Sequence, residues 1–445
     1  MKDTPHHHRS SPWPMLPMKQ ALDIIANELD QVTGYENLDV ADFPALLGRT
    51  LAFDVVAHVN MPAFPASIKD GYAVKAEDGA GPRKLVAITT AGEDTETRVL
   101  QNGECCRVST GSMVIDGADA VVMRELTGPV GGEQDLGDKE TQVLIKSAPK
   151  VGQDIRQVGA DFHKGTVLIE KGTIIQPQHM GLIVSSCSRI LKVRRKIPVQ
   201  LLSTGNEICV DGYKKMEGND QEVVIPPQGQ IYDSNLPNLS CQLIQNGFLS
   251  SEPQAVRDTF EDLAREIALF IEDAERKILI TTGGVSMGEK DHMKPVLKSL
   301  GAEVHFGRVA MKPGMPTTFS TVKNKNGDKK FIFSLPGNPV SAFVCMELFV
   351  LPFLRKMSGQ NKDRTRIPVK MEAAIQLDAR PEYRRAVLAV EDGQFIGRTT
   401  HPNQTSSALI NIRDCNLLLE LPARTEEKSL IEKGESVDAL VIGPI

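Results

Sequence analysis

Three short segments of this sequence combine glycine with hydroxyl or carboxylate side chains in a way that suits a phosphate-like anion. Ser203-Thr204-Gly205-Asn206-Glu207 directly follows the apolar run Ile197 to Leu202. Its hydroxyls and glycine can present backbone N–H groups to an anion, and Glu207 adds a carboxylate suited to a hard cation. The same residues also suit a turn followed by a helix cap. Thr281-Thr282-Gly283-Gly284-Val285-Ser286-Met287-Gly288-Glu289-Lys290-Asp291 follows the apolar strand at Lys277 to Thr282. Glycines let a backbone approach a ligand closely, and Asp291 opens a predicted helix, where it also serves as an N-cap. The segment is neither a P-loop nor a GxGxxG fingerprint. Pro336-Gly337-Asn338-Pro339-Val340-Ser341-Ala342 joins a strand to a long helix. Its prolines stiffen the loop, and Ser341 falls in the first helical turn, where N–H groups and the helix dipole attract anions. A simple connector is the alternative.

Two cations, Arg308 and Lys312, lie between these loops in the sequence. Away from them, Asp70 sits in an Asp-Gly turn within Phe64 to Val74, and Thr110 and Asp161 stand beside Gly111 and Gly159. Each is a plain turn by default, but an acid-bearing surface opposite a basic cleft suits a bound Mg²⁺ and its phosphate ligands. No Ser/His/Asp or Cys/His arrangement stands out. His163, His179, His292, His305 and His401 lack metal-type spacing.

The elements that must position these residues follow from periodicity. Met18 to Asp30 reads as an amphipathic helix, and Asp42 to Leu47 as a short one. From Asn60 short β-type runs alternate with turns: Leu85 to Thr90, Cys105 to Val108, Ala120 to Leu126 and Val143 to Ser147. Gln176 to Ser186 is helical again. Strands at Ile197 to Ser203, Lys277 to Thr282, Glu303 to Ala310 and Phe331 to Leu335 then alternate with helices at Ser234 to Asn246, Ala255 to Glu272, Met293 to Leu300 and Val340 to Met357. That alternation predicts βαβ units and a parallel sheet, with ligands beyond the carboxyl ends of its strands. Runs at Ile367 to Leu377, Arg385 to Val390 and Ala439 to Ile442 form a last β unit.

The 445 residues carry a net charge of −6, with 41% apolar and 24% charged residues. Such a chain buries ordinary cores and lacks the basic stripe of a nucleic-acid binder. Seven scattered cysteines form no disulfide framework, so a reducing, cytoplasmic setting is expected. No apolar run is long enough to span a membrane. Met1 to Pro17 is expected to be loose, with residues 1–14 a disordered leader whose His6, His7 and His8 could bind a metal only adventitiously.

The motifs together resemble one family, the molybdenum insertases represented by bacterial MoeA and the gephyrin E domain. The stretches that carry the resemblance are FPASIKDGYAV (64–74), RVSTG (107–111), GADAVV (117–122), VGQDIRQVGAD (151–161), LSTGNE (202–207), IYDSN (231–235), TTGGVSMGEKD (281–291), HFGRVAMKPGMPTTF (305–319), SLPGNPVSA (334–342), RPEYRRA (380–386) and NQTSSAL (403–409). They cover nearly the whole chain from Met15. The likeness is nearest to the gephyrin-like branch, without a counterpart of the gephyrin G domain before Met15.

The resemblance implies an α/β multidomain, elongated subunit. Residues 15–59 and 154–190 would form a mixed N-terminal domain, 60–153 an inserted β-rich domain, 191–362 a MogA-like three-layer α/β domain and 363–445 a C-terminal β-barrel-like domain. It implies molybdopterin molybdotransferase activity: molybdate and adenylylated molybdopterin are joined and AMP is released, with Mg²⁺ as cofactor. It also implies a homodimer with shared sites, in which Asp70, Thr110 and Asp161 of one subunit complete a site carrying Glu207, Asp258 and Asp291 of the other. Asp70, Glu207 and Asp291 would be the metal-binding acids. Ser203, Thr204, Gly205, Gly283, Gly284, Ser286, Arg308, Lys312, Pro336, Gly337, Asn338, Pro339 and Ser341 would cradle the anionic ligands. Arg385 and one of Ser406 or Ser407 match positions implicated in holding molybdate. A molybdopterin adenylyltransferase is a further expected partner.

Two departures stand out. Met315 replaces the family's second lysine, and Ser112 to Ile115 replaces a proline-containing turn. Gephyrin-like relatives also act as scaffolds that bind receptor intracellular loops. Two aromatic positions of that groove are Leu22 and Lys428 here, which weakens the scaffold alternative.

Overall fold

The computed structural model describes residues 13–29, 34–92, 98–130, 141–209, 225–252, 254–285, 291–361 and 363–444. Its centre is a seven-stranded sheet. The strand order is Leu249–Ser250, Pro198–Thr204, Ile278–Thr282, Lys329–Leu335, Thr318–Lys323, Glu303–Phe306, and Gln254–Val256 also pairs with Pro198–Thr204. Successive side chains of a strand point to opposite faces, and a sheet covered on both sides is apolar throughout. Val199, Leu201, Ile280 and Phe333 accordingly pack with Leu239, Leu243 and Val344 on one face. Leu202, Leu279 and Ile332 pack with Leu263, Ile267 and Val296 on the other. The result is three layers, helix on sheet on helix.

Four expectations need correction. The sheet is mixed rather than parallel, because Thr318–Lys323 runs antiparallel to both of its neighbours. Ala255 belongs to a strand and the helix begins only at Phe260. Thr259 sets that start: its hydroxyl accepts the Asp262 N–H at 3.2 Å, the N-cap interaction, so the helix cannot extend back to Ala255. The strand expected to reach Ala310 stops at Phe306. At Gly307 a side chain would meet Lys294 Cε at 2.8 Å and Trp13 Cγ at 3.0 Å. The N-terminal segment is also ordered earlier than expected, since Leu16 bridges Val309 through the backbone. Residues 1–12 of the expected leader lie outside the described residues.

The long helix runs from Pro339 to Met357 with a π-helical turn at Met346–Val350. Pro352 follows after Leu351, and a ring without an N–H is accommodated by such a widened turn. A six-stranded sheet holds Ala120–Met123, Gly71–Val74, Glu104–Val108, Gly81–Thr89, Gln142–Ile145 and Thr127–Gly128 in that order. A closed five-stranded barrel of Arg366–Met371, Gln394–Thr399, Glu382–Glu391, Leu417–Leu421 and Ser436–Val441 completes the chain. A further core joins Val40, Leu46, Leu51 and Val55 to Ile169, Ile175, Ile183 and Leu191. Among the described residues no helix is long and apolar enough to cross a membrane.

The Met18–Asn27 helix ends on Glu28, whose carboxylate takes an ion pair from Lys329 at 2.6 Å. Hydrogen bonding from that ammonium holds Glu28 below its usual 4.5, against the opposing effect of burial. A carboxyl lowered in the folded state contributes stability that is complete above 4.5 and is lost as pH falls through the folded value. Glu28→Gln is therefore expected to cost about 1 kcal/mol or less at pH 7. The difference should vanish in acid when unfolding is followed by urea at several pH values.

Candidate active site

The three strand-end loops meet at Gly283. Its φ is +91°, its N–H donates to Leu335 O at 3.1 Å, and a Cβ there would lie 2.4 Å from Thr204 O. A Cβ on Gly337 would in turn sit 3.4 Å from Gly283 Cα. Beneath the loops, the Thr282 hydroxyl donates to Ser203 Oγ at 3.2 Å, and Thr204 Oγ1 donates to Asp258 Oδ1 at 3.2 Å. Gly284 also has a positive φ, and its carbonyl accepts the Met293 N–H at 3.4 Å. Ser203 and Thr204 are buried, as are Pro336 and Ser341, whereas Gly337 and Asn338 face solvent. Ser341 lies in the first turn of its helix, after Asn338 as N-cap and Pro339. Ser286 lies outside the described residues.

Three carboxylates flank the loops. Burial raises the Asp258 carboxyl above its usual range, with the Thr204 hydroxyl and His292 opposing and the charges of Asp291 and Glu207 adding. Mutual repulsion of this kind requires the three acids to be near neighbours. Two local readings change. Glu207 leads into the short Ile208–Cys209 strand rather than a helix. Its carboxylate folds back over Gly205, where a Cβ would lie 2.8 Å from Oε1. His292, not Asp291, is the N-cap of the following helix. Among the described residues no three acids, histidines or cysteines are close enough to cage a metal ion.

The cations divide. Arg308 is half-buried and its Nη2 donates to Met315 Sδ at 3.9 Å. Lys312 turns to the C-terminal unit, with its ammonium 3.2 Å from Asp378 and 3.4 Å from Glu382. Arg385 is wholly buried in the barrel. Its guanidinium donates to Tyr383 O at 2.8 Å and Gln404 O at 2.6 Å, and burial pulls its pKa down to about 10. Of the paired serines, Ser406 is the one on the loop. Its hydroxyl accepts from Asn338 Nδ2 at 2.9 Å and its carbonyl from the Val340 N–H at 3.1 Å, while Ser407 is exposed.

Asp70 and Thr110 form a unit of their own on the six-stranded sheet. Asp70 Oδ1 accepts from the Thr110 N–H at 2.7 Å and from its hydroxyl at 3.1 Å. Asp70 borders a cavity of about 230 Å³ that Arg107, Arg124, Thr89 and Ser109 also line. The neighbouring Gly71 is required by packing rather than by its turn, since a Cβ would lie 2.0 Å from Val122 O. The Ala66–Ser67 strand leading into Asp70 pairs with Ile155–Arg156, and Arg156 carries the ion pair to Asp161. This group and the Gly283 loops stand on separate sheets.

The sequence reading passed over several contributors. Asp233 Oδ1 accepts the N–H groups of Asn235 and Leu236, and Asn235 Nδ2 donates to Gly337 O at 2.8 Å, so the IYDSN stretch fixes the third loop. Lys294 donates to Val285 O at 3.2 Å. Burial lowers its pKa, with the Asp291 charge opposing and Arg308 adding. The i,i+3 spacing from Asp291 is the signal that finds it. Arg380 Nη1 reaches Met315 Sδ at 3.7 Å. The two scaffold positions stand in different settings. Leu22 lines a cleft of about 420 Å³ between its helix, the Pro339–Met357 helix and the barrel, and Lys428 is ion-paired with Glu435.

Residues 16–187 match the MoeA N-terminal region (domain I and II), 200–356 the probable molybdopterin binding domain, and 368–442 the MoeA C-terminal region (domain IV). The chain is 34% identical to gephyrin of Dictyostelium discoideum, over 98% of this chain and 64% of that one. It is 33% identical to the molybdenum cofactor synthesis protein cinnamon of Drosophila melanogaster, over 98% and 67%. It thus spans about two thirds of those two relatives. Molybdopterin molybdenumtransferase of Nostoc sp. is 30% identical over 92% of this chain and 90% of its own. A solved MoeA structure from Pyrococcus horikoshii superposes with a TM-score of 0.77 at 25% identity, covering 97% of this chain and all of that one. This chain belongs to the MoeA family, to which proteins named molybdopterin molybdenumtransferase and gephyrin also belong.

Proposed function

We propose that this chain is a molybdopterin molybdotransferase, joining molybdate to adenylylated molybdopterin with release of AMP. The observation that carries this reading is the convergence of three strand-end loops on Gly283, with the acids Glu207, Asp258 and Asp291 beside them and the cations Lys294 and Arg308 close enough to share the field of Asp291. Both substrates are anions, so joining them requires fixed cations and aligned N–H dipoles to offset their repulsion. Glycine backbone and the first turn at Ser341 supply the dipoles. The acid flank suits Mg²⁺: its donors are carboxylate oxygens, and an incomplete protein cage fits an ion that retains waters and takes substrate phosphate as a ligand. Asp291 and Glu207 would hold it there, and the ion would polarise the phosphoanhydride.

Asp70, Thr110 and Asp161 complete the reading if the protein acts as a homodimer, each subunit lending this acidic group to its partner's Gly283 loops. Their exposure and their place on a separate sheet support that arrangement. A cytoplasmic setting and delivery of the pterin by a molybdopterin adenylyltransferase belong to the same proposal.

The test uses purified chain, adenylylated molybdopterin, Mg²⁺ and molybdate, with AMP release and reconstitution of an apo-molybdoenzyme as readouts. Asp70→Ala and Asp291→Ala are each expected to be folded and inactive. Unfolded and refolded together, they should recover about a quarter of wild-type activity, since half the dimers are mixed and each mixed dimer has one intact site. Full activity in both single variants would refute the assignment. Inactive variants that fail to complement would refute the shared site alone. A titration with a receptor-loop peptide separates the scaffold reading, which requires binding.

A further inference from the structure

We propose that Trp13 is a positioning residue of the Gly283 site: its indole holds the stem of Lys294 across Gly307, so that the ammonium meets an anion bound at the loops with its place already fixed. The glycine at 307 marks the contact. A Cβ there would lie 2.8 Å from Lys294 Cε, 3.0 Å from Trp13 Cγ and 3.2 Å from Trp13 Cδ1. The lysine stem and the indole therefore fill one space from two sides, and Cε and Cγ are no further apart than the sum of the first two distances. Only a residue without a side chain leaves room for both.

Each partner is also fixed at its other end. The Leu16 N–H donates to Arg308 O at 3.1 Å, and Leu16 O accepts the Ala310 N–H at 2.8 Å. Leu16 packs against the sheet core, and the first helix begins at Met18. Trp13 is thus tethered three residues from an anchored position, against the chain neighbour of Arg308. Lys294 leaves the Met293–Ser299 helix and donates to Val285 O at 3.2 Å, the carbonyl two residues after Gly283. That carbonyl takes one of the three N–H donors of an ammonium. The charges of Asp291 and Arg308 both act on Lys294, which sets it among the groups that would face substrate and Mg²⁺. A lysine is rotamer-rich, and a ligand that must order it loses affinity to that ordering. An aromatic plate against the stem removes that cost, and by displacing water it strengthens the attraction between the ammonium and an anion. Trp13 is the single tryptophan of the chain, so its emission reports this contact without interference from another indole.

The nature of the anion rests on the proposed function, and AMP, its expected product, is the probe. Wild-type emission titrated with AMP in Mg²⁺ should change saturably. In equilibrium dialysis of the full chain, Trp13→Ala is expected to weaken AMP binding about tenfold, and Trp13→Phe, which keeps an aromatic plate, to restore most of it. In a Lys294→Met background, which keeps the stem and removes the charge, Trp13→Ala should cost no further affinity, because both changes act through one ammonium. A purely structural Trp13 would lower the melting temperature and leave the affinity of the folded protein unchanged, which overturns the positioning role. Additive losses in the double variant overturn it as well, as does an emission that AMP does not alter. The insertion assay keeps the two readings apart. A chain in which Trp13 couples to Lys294 in AMP binding yet inserts no molybdate overturns the proposed function alone. Equal insertion by wild type and Trp13→Ala at subsaturating substrate overturns the positioning role alone.

Discussion

Gly283→Ala is expected to reduce AMP release by more than about a hundredfold and to lower stability by about 2–4 kcal/mol. Two costs add. The residue sits at φ +91°, where an L side chain is strained by about 1–2 kcal/mol. Its new methyl group would also lie 2.4 Å from Thr204 O and 3.1 Å from Thr204 Cγ2. The first contact is with backbone, so relief requires the Thr204 and Gly283 loops to separate. That separation breaks the surface on which the ligand would sit. Gly301→Ala is the control: its φ is +76°, but no atom lies within 4 Å of the added carbon. It should therefore show the strain alone and keep its activity. Thermal melting and the insertion assay, run on both variants, decide the matter. Equal activity in the two would mean that the loops need not touch at Gly283.

Arg364→Ala is expected to destabilise the chain by about 3–5 kcal/mol, the usual cost of stranding one partner of a buried ion pair. Glu347 is 3% exposed and lies in the π-helical turn; its carboxylate takes Arg364 on one oxygen and Gln242 Nε2 at 2.6 Å on the other. Removing the arginine leaves a buried charge with a single amide donor. The paired change Glu347→Leu with Arg364→Met should recover most of the loss, because an apolar pair of similar size strands no charge. Urea unfolding of the two single variants and the double variant measures the coupling. A double variant as unstable as Arg364→Ala would show that the pair has no special standing.

What could be read from the sequence depended on how local its cause is. Periodicity found the α/β strands and their loops because a strand buried on both faces carries a continuous apolar run, such as Ile278 to Ile280 and Phe331 to Phe333. It missed Thr318–Lys323, whose Thr-Phe-Ser-Thr-Val-Lys is mostly polar although all but the last are buried. Its burial comes from its place inside the mixed sheet, which no single window shows. It carried the Phe260–Glu272 helix back to Ala255 because Ala255 and Val256 continue an apolar pattern; the cap at Thr259 depends on one hydroxyl. The three loops were visible one by one, but their meeting at Gly283 depends on strand order. The acid cluster had the same limit: nothing local links Asp258 to Glu207 and Asp291. Resemblance supplied the membership of that set, and the burial and field at Asp258 supply its physical coherence. Arg385 shows the reverse. Its sequence position suggests a ligand contact, while the fold commits its guanidinium to Gln404 and Tyr383.

The core that unites Val40, Leu46, Leu51 and Val55 with Ile169, Ile175, Ile183 and Leu191 has a consequence for the order of events during synthesis. Its first half leaves the ribosome more than a hundred residues before its second, so the early segment waits with its apolar side chains uncovered. The six-stranded sheet lies wholly between the two halves, and its own core of Tyr72, Val74, Cys105, Val122, Val143 and Ile145 can close in the meantime. Once closed, it draws the flanking segments together, as the pairings of Met61 with Phe162 and of Ala57 with Thr166 require. A long, entropically costly loop becomes a short one. The inserted sheet therefore works as a clasp in biogenesis, and a slow-translating stretch after residue 145 would favour a productive order over premature exposure.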